Sequence, residues 1–575
     1  MKEKANVAEY VQEKLSDKQK LIRVAAGLEP ADYVLKNATY LNVFSNEFSH
    51  GDIAVSGELI AGIGSYNGRI EIDVSDKFVC PGFIDAHIHL ESSLVSPEEF
   101  AKAVVRHGTT TVITDPHEIT NVMGLDGLKY MLEATVDLPI GVHFMLPSCV
   151  PATPLDESGS KLDFLDIDPF YDHPKVLGLA EMMNFVGVIN GDEDCISKIL
   201  GSQSHHKKID GHAPDLSGKE LNAYLAAGVY SDHECYSYKN ALEKLQKGQF
   251  IMIREGTAAH NLKSLLPLLN QQYYSRCMFA TDDKHPNDLL ERGHIDYIVK
   301  ESIKNGVDPI IAINTASHNA ARYFLLNNKG AIAPGYKADM IIFDNFIDFN
   351  IEKVMKRGKI AYENGEVLPF KAPNISLELK GHAINTFHVE TIKAKDLCID
   401  DAAVVGMVKG EIITQNCGRA TCVSVKNDIL KIAVVERHKS TGHIGLGFIK
   451  GYGLKKGAVA TSISHDSHNI IAVGVTDEDM AVAINAVVDN KGGIVVVSEG
   501  KVLSVVKLEI AGLMSNTPLE KMNDLLEEAK KTAYSLGVAK GIDPFMSLSF
   551  MSLPVIPSLR VTTRGVFDVE KWKYI

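Results

Sequence analysis

The segment Pro81–Glu91, P-G-F-I-D-A-H-I-H-L-E, sets two histidines at positions i and i+2 behind a short apolar run. Side chains alternate along an extended chain, so His87 and His89 share one side and can meet one cation together. H-x-H alone is a weak signal in a chain with 21 histidines; the preceding apolar run and Asp85 make it more specific. Four further candidates end other apolar runs. Glu181 closes V-L-G-L-A-E, His212 closes K-I-D-G-H, His233 closes V-Y-S-D-H and Asp282 closes M-F-A-T-D. Taken singly, each is better explained as a hydrogen-bonded loop residue. Jointly they repeat one pattern that chance rarely supplies. Imidazole with carboxylate suits Zn, Mn or Fe rather than Ca, and the lack of cysteine among them argues against a thiolate-rich structural site.

Elements must bring these residues together. Short buried-strand candidates fall at Gly82–Asp85, Thr110–Thr114, Ile140–Leu146, Val176–Ala180, Lys208–Gly211, Val229–Asp232, Phe250–Arg254 and Met278–Thr281. Helix-compatible stretches separate most of them, and about eight βα units of this size close a (β/α)8 TIM-like barrel with its site at the strand C-termini. The expected class is α/β. A helix over Val7–Ala26, with Tyr10, Val11 and Leu15 near one face, and strands at Tyr33–Val43 and Asp52–Gly64 precede the barrel. Strands at Ala338–Asp344 and Arg357–Val367 follow it. The simplest inference is one small β-sandwich domain split by the barrel: residues 1–80 and 331–373 around 81–330. From Asn374 to Ile575 the texture is that of a separate α/β domain, with strands at Val404–Val408, Ile432–Val435, Ile494–Val497 and Val502–Val506 and an amphipathic helix over Leu519–Leu536.

Composition narrows the partners. Lysine plus arginine number 59 against 73 acidic residues, a formal charge of −14 that argues against nucleic acid. No run reaches the ~18 apolar residues of a membrane span, and the charged first twenty residues lack a signal-peptide core. Eight sparse cysteines without a C-x-x-C pair fit a reduced, cytoplasmic protein.

These features together resemble the amidohydrolase superfamily, through the split β domain, H-x-H after the first strand, the later histidines, the aspartate after the eighth strand and the return segment G-A-I-A-P-G-Y-K-A-D, Gly330–Asp339. More narrowly, the chain is similar to the bacterial adenine deaminase family, in D-P-H-E-I (115–119), A-E-M-M-N-F (180–185), S-D-H-E (231–234), M-I-R-E-G (252–256), A-T-D-D-K-H-P (280–286) and S-I-S-H-D-S-H-N (462–469). The resemblance covers nearly the whole chain.

It implies two divalent ions, Mn or Fe first and Zn also compatible. His87, His89 and Asp282 would hold the more buried ion and His212 and His233 the outer one, with Glu181 in the bridging position; a one-metal site is the competitor. The implied reaction is adenine plus water giving hypoxanthine plus ammonia, with Asp282 carrying the proton. Glu118 is a second catalytic candidate, and His117, Asp283, His285 and His465 are candidate purine contacts. Arg254 and Glu255 read as a salt-bridged rim. The H-D-S-H turn, with His465, Asp466 and His468, reads equally as a solvated loop or as a lid over the barrel mouth. A homo-oligomer, most simply a dimer, is expected. Hydrolysis of a cyclic amide or another aminated heterocycle is the close rival, since fold and metals alone do not select a substrate. A metal-free scaffold is disfavoured because every expected ligand type is present.

Overall fold

The structure is a computed structural model and describes residues 2–409 and 413–575, with side chains from residue 8 onward. Eight short strands carry the candidate ligands: β1 Phe83–Ile88, β2 Thr109–Thr114, β3 Gly141–Leu146, β4 Val176–Met182, β5 Lys208–Gly211, β6 Ser231–Asp232, β7 Phe250–Arg254 and β8 Cys277–Ala280. They pair in parallel and in chain order, as one sheet of β1 to β5 and another of β6 to β8. The two sheets share an interior, where Ile84, Ala86, Ile113, Met145, Ala180, Met252, Met278 and Ala280 meet in one apolar cluster. Strands buried on both faces need covering helices, and intervening helices such as Pro97–Val105, Leu125–Ala134, Glu193–Ser204 and Tyr238–Gln246 supply apolar faces to do so.

At each seam between the sheets a few specific bonds replace a ladder. Beyond β8, the Asp282 N–H donates to the His87 carbonyl at 2.9 Å and the His89 N–H donates to the Asp282 carbonyl at 2.8 Å. Buried Asp85 braces this seam from inside, accepting from the His87 N–H at 3.2 Å, the Thr281 N–H at 3.1 Å and the Thr281 hydroxyl at 2.5 Å. Between β5 and β6 the Gly211 N–H donates to Ser231 Oγ at 3.3 Å, and that hydroxyl donates to Asp210 at 2.8 Å. The sixth strand is therefore only two residues long, shorter than Val229–Asp232.

The flanking β elements join as expected from opposite ends of the insertion. Met340–Phe343 pairs antiparallel with Phe78–Pro81, and the whole is one hydrogen-bonded sheet of nine strands where a two-sheet sandwich was the simplest reading. Asp52–Gly64 is interrupted at Gly57, whose φ of +57° turns the chain between Glu47–Ser56 and Leu59–Gly64. The N-terminal helix, Lys2–Ala25, packs differently from the sequence reading: Tyr10, Val11 and Leu15 are exposed, and Leu21 and Val24 make the buried contact. Towards the C-terminus, eight strands from Ala402–Met407 to Lys501–Lys507 form a sheet, against which Asp477–Asp489 and Leu519–Ser535 pack. No helix among the described residues is long and apolar enough to cross a membrane.

One buried ion pair anchors the chain before His233. Lys244, on the helix after β6, donates to Asp232 Oδ2 at 2.8 Å and to the Ala213 carbonyl at 2.5 Å, and neither side chain reaches solvent. Lys244→Met leaves a buried carboxylate without its cation, which should cost about 3–5 kcal/mol. Thermal melts should show a clear fall in Tm, with part of it regained when Asp232→Asn is added; an unchanged Tm would remove this pair from the framework.

Candidate metal centre and its cavity

Glu181, the sixth residue of β4, is the hub. Its side chain is 3 % exposed, and its two oxygens face different imidazoles. Oε1 lies 3.2 Å from His89 Nε2, 3.6 Å from His117 Nδ1 and 3.7 Å from His87 Nε2. Oε2 lies 2.7 Å from His212 Nδ1 and 3.2 Å from His233 Nε2. Burial alone would raise the Glu181 carboxyl, but the His233 charge and bonds from His212, His233 and His89 hold it well below the usual range. Asp282 closes the constellation, with Oδ1 3.3 Å from His87 Nε2 and 3.2 Å from His89 Nε2. Its φ of +63° is the left-handed conformation that aspartate tolerates better than most residues. Burial pushes its carboxyl up, and the Arg254 guanidinium with the two histidines overrides that and holds it well below normal.

The donor set fits divalent cations. All six side chains are nitrogen or carboxylate donors, and three overlapping groups bring ligand atoms within 4.8 Å of one another: His87, His233 and Asp282; Glu181, His212 and His233; and His89, Asp115, His117 and Glu181. His87 Nε2 is buried without a hydrogen bond of acceptable geometry although two carboxylate oxygens lie nearby, as an atom meant for a cation would be. Ligand orientation is held by neighbours. Asp115 Oδ2 lies 2.8 Å from His117 Nδ1, and the Asp115 carbonyl lies 2.9 Å from His89 Nδ1. Arg254 donates to Asp282 Oδ2 at 2.7 Å and grips Glu234 through both terminal nitrogens.

A second cluster closes the mouth. Glu118 Oε1 is 2.8 Å from His465 Nδ1 and Oε2 is hydrogen-bonded to His468 Nε2, so one buried carboxylate just beyond β2 is held by two histidines some 350 positions away. Burial disfavours the Glu118 charge, yet His465 and His468 hold it well below normal, while Glu118 lifts His465 to about 9 against its own burial. Beside this contact lies a cavity of about 40 Å3. Glu91, Glu118, Asp283 and His285 line it from the barrel side and His465, His468 and Phe550 from the other. The His465 and Phe550 rings stack at 4.6 Å. Burial leaves His285 near 4 and so neutral at pH 7, and raises Glu91 to about 7.

The six sequence candidates for ligation thus converge. Of the candidate contacts, Asp283, His285 and His465 reach the cavity, whereas His117 is not among its lining residues and turns to the Glu181 cluster. The H-D-S-H segment is largely buried and reaches Glu118, so it is not a solvated loop. Arg254 does form a salt bridge, but with Glu234 and Asp282; Glu255 pairs with His260. Sequence reasoning gave no role to Asp115, Glu234 or Glu91. Asp115 directly follows β2, the same rule that found Asp282; nothing in the sequence distinguished Glu91.

Two family descriptions match the chain: the amidohydrolase family over residues 78–361 and the adenine deaminase C-terminal domain over 409–573. An adenine deaminase of Desulfatibacillum aliphaticivorans is 49% identical over 96% of this chain and 98% of its own length. That of Kosmotoga olearia is 47% identical over 96% and 97%. Among solved structures, a β-aspartyl dipeptidase from Fervidobacterium islandicum aligns with 59% of this chain and 99% of its own at 19% identity and a TM-score of 0.45.

A bridging role for Glu181, whose two oxygens face different imidazoles, predicts a stoichiometry. Apo protein reconstituted with Mn(2+) should hold about two ions per chain by elemental analysis, as a carboxylate shared between paired ions requires. Glu181→Ala should hold no more than one, and two tightly held ions in that variant would contradict a bridging carboxylate.

Proposed function

The chain belongs to the adenine deaminase family of the amidohydrolases, and on that premise we propose that it hydrolyses adenine to hypoxanthine and ammonia at a dinuclear metal centre. One observation carries the reading. The two regions matched by family meet at Glu118, where His465 and His468 complete a cavity next to the Glu181 cluster. The eight strands are read as one closed (β/α)8 barrel with this cluster at its C-terminal rim, the place where such barrels assemble sites.

His87, His89 and Asp282 would hold one divalent ion and His212 and His233 the other, with Glu181 between them. Mn(2+), Fe(2+) and Zn(2+) all suit this nitrogen and oxygen set. Bound there, the ions would supply the Lewis acidity that makes water a competent nucleophile near neutral pH. The remaining work falls to the side chains. Ionised Asp282 lies beside the imidazole cluster and can accept the proton that water loses as it adds to C6 of the purine. The same carboxyl can return it to N1 or to the departing amine, so that ammonia leaves rather than amide ion. Arg254 steadies Asp282 through the oxygen turned away from the histidines. Glu118, fixed by two histidines, is assigned as the second proton carrier on the cavity wall. Neutral His285 and the free Oδ1 of buried Asp283 are assigned to the purine edge. The apolar wall around them, with the segment 462–469 across the mouth, suits a flat base and excludes bulk water.

Asp282→Asn should abolish turnover while part of the metal is retained, since general acid–base help alone is worth ~10²–10⁴-fold; near-normal ammonia release would remove Asp282 from that role. For substrate choice, ammonia release should be compared for adenine, adenosine and a cyclic amide at equal concentration on Mn-reconstituted protein. Adenine should react far better than the other two, because a clash and unpaired buried polar groups penalise a misfit. Equal reaction of adenosine would contradict the closed pocket, and reaction of the amide alone would contradict the deaminase assignment.

A further inference from the structure

Arg437, at the end of the strand Ile429–Val435, is wholly buried and forms no ion pair among the described residues. Its neighbour Glu436 is otherwise engaged: Oε1 accepts from the backbone N–H groups of His438 and Lys439 at 2.5 and 2.8 Å, and Oε2 accepts from the Thr441 N–H at 3.0 Å. Burying a guanidinium without a counter-ion is costly, and an apolar side chain would fill the space more cheaply. What arginine adds is a rigid fork of donors. Nε donates to the His468 carbonyl, Nη1 to Thr386 Oγ1 at 3.2 Å and Nη2 to the Ala511 carbonyl at 2.9 Å. The Phe387 ring lies under the guanidinium at 4.2 Å. Gly512, with φ +73°, keeps the space open, because a Cβ there would stand 2.9 Å from Nη1 and 2.8 Å from the Phe387 ring.

The Nε bond ties the segment that reaches Glu118 to the Thr386–Phe387 pair and the Ala511 carbonyl, on which the other fork contacts rest. The Arg437 N–H donates to Asn469 Oδ1 at 3.2 Å, and His438 Nε2 lies 2.7 Å from the Ser467 carbonyl. His468 itself has φ +54°, a conformation histidine does not hold without support. We propose that Arg437 is a positioning residue that locks residues 464–469 in the conformation presenting His465 and His468 to Glu118, and so sets the geometry of the adenine pocket. This rests on the reading of that pocket given above. Arg437 touches neither the cavity nor the metal ligands, so its effect on turnover must pass through the segment.

Arg437→Met keeps the volume and removes the fork, and Arg437→Lys keeps the charge without the fork. Both should retain wild-type metal content and lose amide-exchange protection over 464–469 alone. Both should also lose about 10²-fold in kcat/KM for adenine, the scale of a misplacement remote from the chemistry. Guanidinium added to Arg437→Ala should restore part of the activity. Unchanged kcat/KM, or loss of protection throughout the 402–507 sheet, would overturn the proposal, the latter by showing a purely structural role. Should the Arg437 variants fail to fold, Thr386→Val removes one acceptor of the fork and leaves Arg437 in place; wild-type exchange over 464–469 together with wild-type turnover in it would overturn the proposal equally. Wild-type protein that releases no ammonia from adenine would fail the functional reading alone, since the exchange of 464–469 reports on Arg437 without substrate.

Discussion

A carboxylate buried among imidazoles is the constraint on which the rest depends. Glu181 is removed from water at the end of β4, and an isolated charge there would simply take up a proton. Cationic or metal-bound histidines on either side make the ionised form tenable. They come from three strand ends to reach it: His87 and His89 from β1, His212 beyond β5, His233 beyond β6. The strand order, the staple of Asp85 across the seam and the Lys244–Asp232 pair before His233 all follow as ways to hold those ends within about 3–4 Å of one carboxylate.

The same logic recurs once, at Glu118, with a different outcome. There two of the imidazoles come from the segment 462–469, and the buried charge ties that segment to the helix after β2. The site is thus a composite. The strand ends around Glu181 supply the histidine and carboxylate cluster and part of the cavity wall, and residues beyond 460 supply the rest of the wall and two of the three histidines that face Glu118, His117 being the third at 3.6 Å. Residues beyond 373 supply 13 of the 19 residues that line the cavity, so a chain ending there would lose about two thirds of that lining.

Much of the site was legible because its residues obey a positional rule. A polar residue directly after a short β-rich apolar run marks a strand's C-terminal end, and β2, β4, β5 and β7 lie close to the runs that announced them. The N-terminal helix leaves Tyr10, Val11 and Leu15 exposed because an apolar stripe says which face can be buried and not whether a partner is present. Strands of the C-terminal sheet such as Ile444–Lys450 and Ile470–Gly474 went unseen because glycines and a flat apolar texture hide the period of two. The contact of His468 with Glu118 spans 350 positions, and no local pattern encodes it. Only the chemistry of an H-D-S-H turn hinted that it needed a partner.

In the proposed mechanism one carboxylate, Glu181, organises two ions for one reaction on adenine. Apo protein titrated with Mn(2+) and assayed for hypoxanthine formation tests it most directly. Activity should rise with added metal and reach its plateau at about two equivalents per chain, as a paired-ion mechanism requires. A plateau at one equivalent, with the second ion adding nothing, would contradict it.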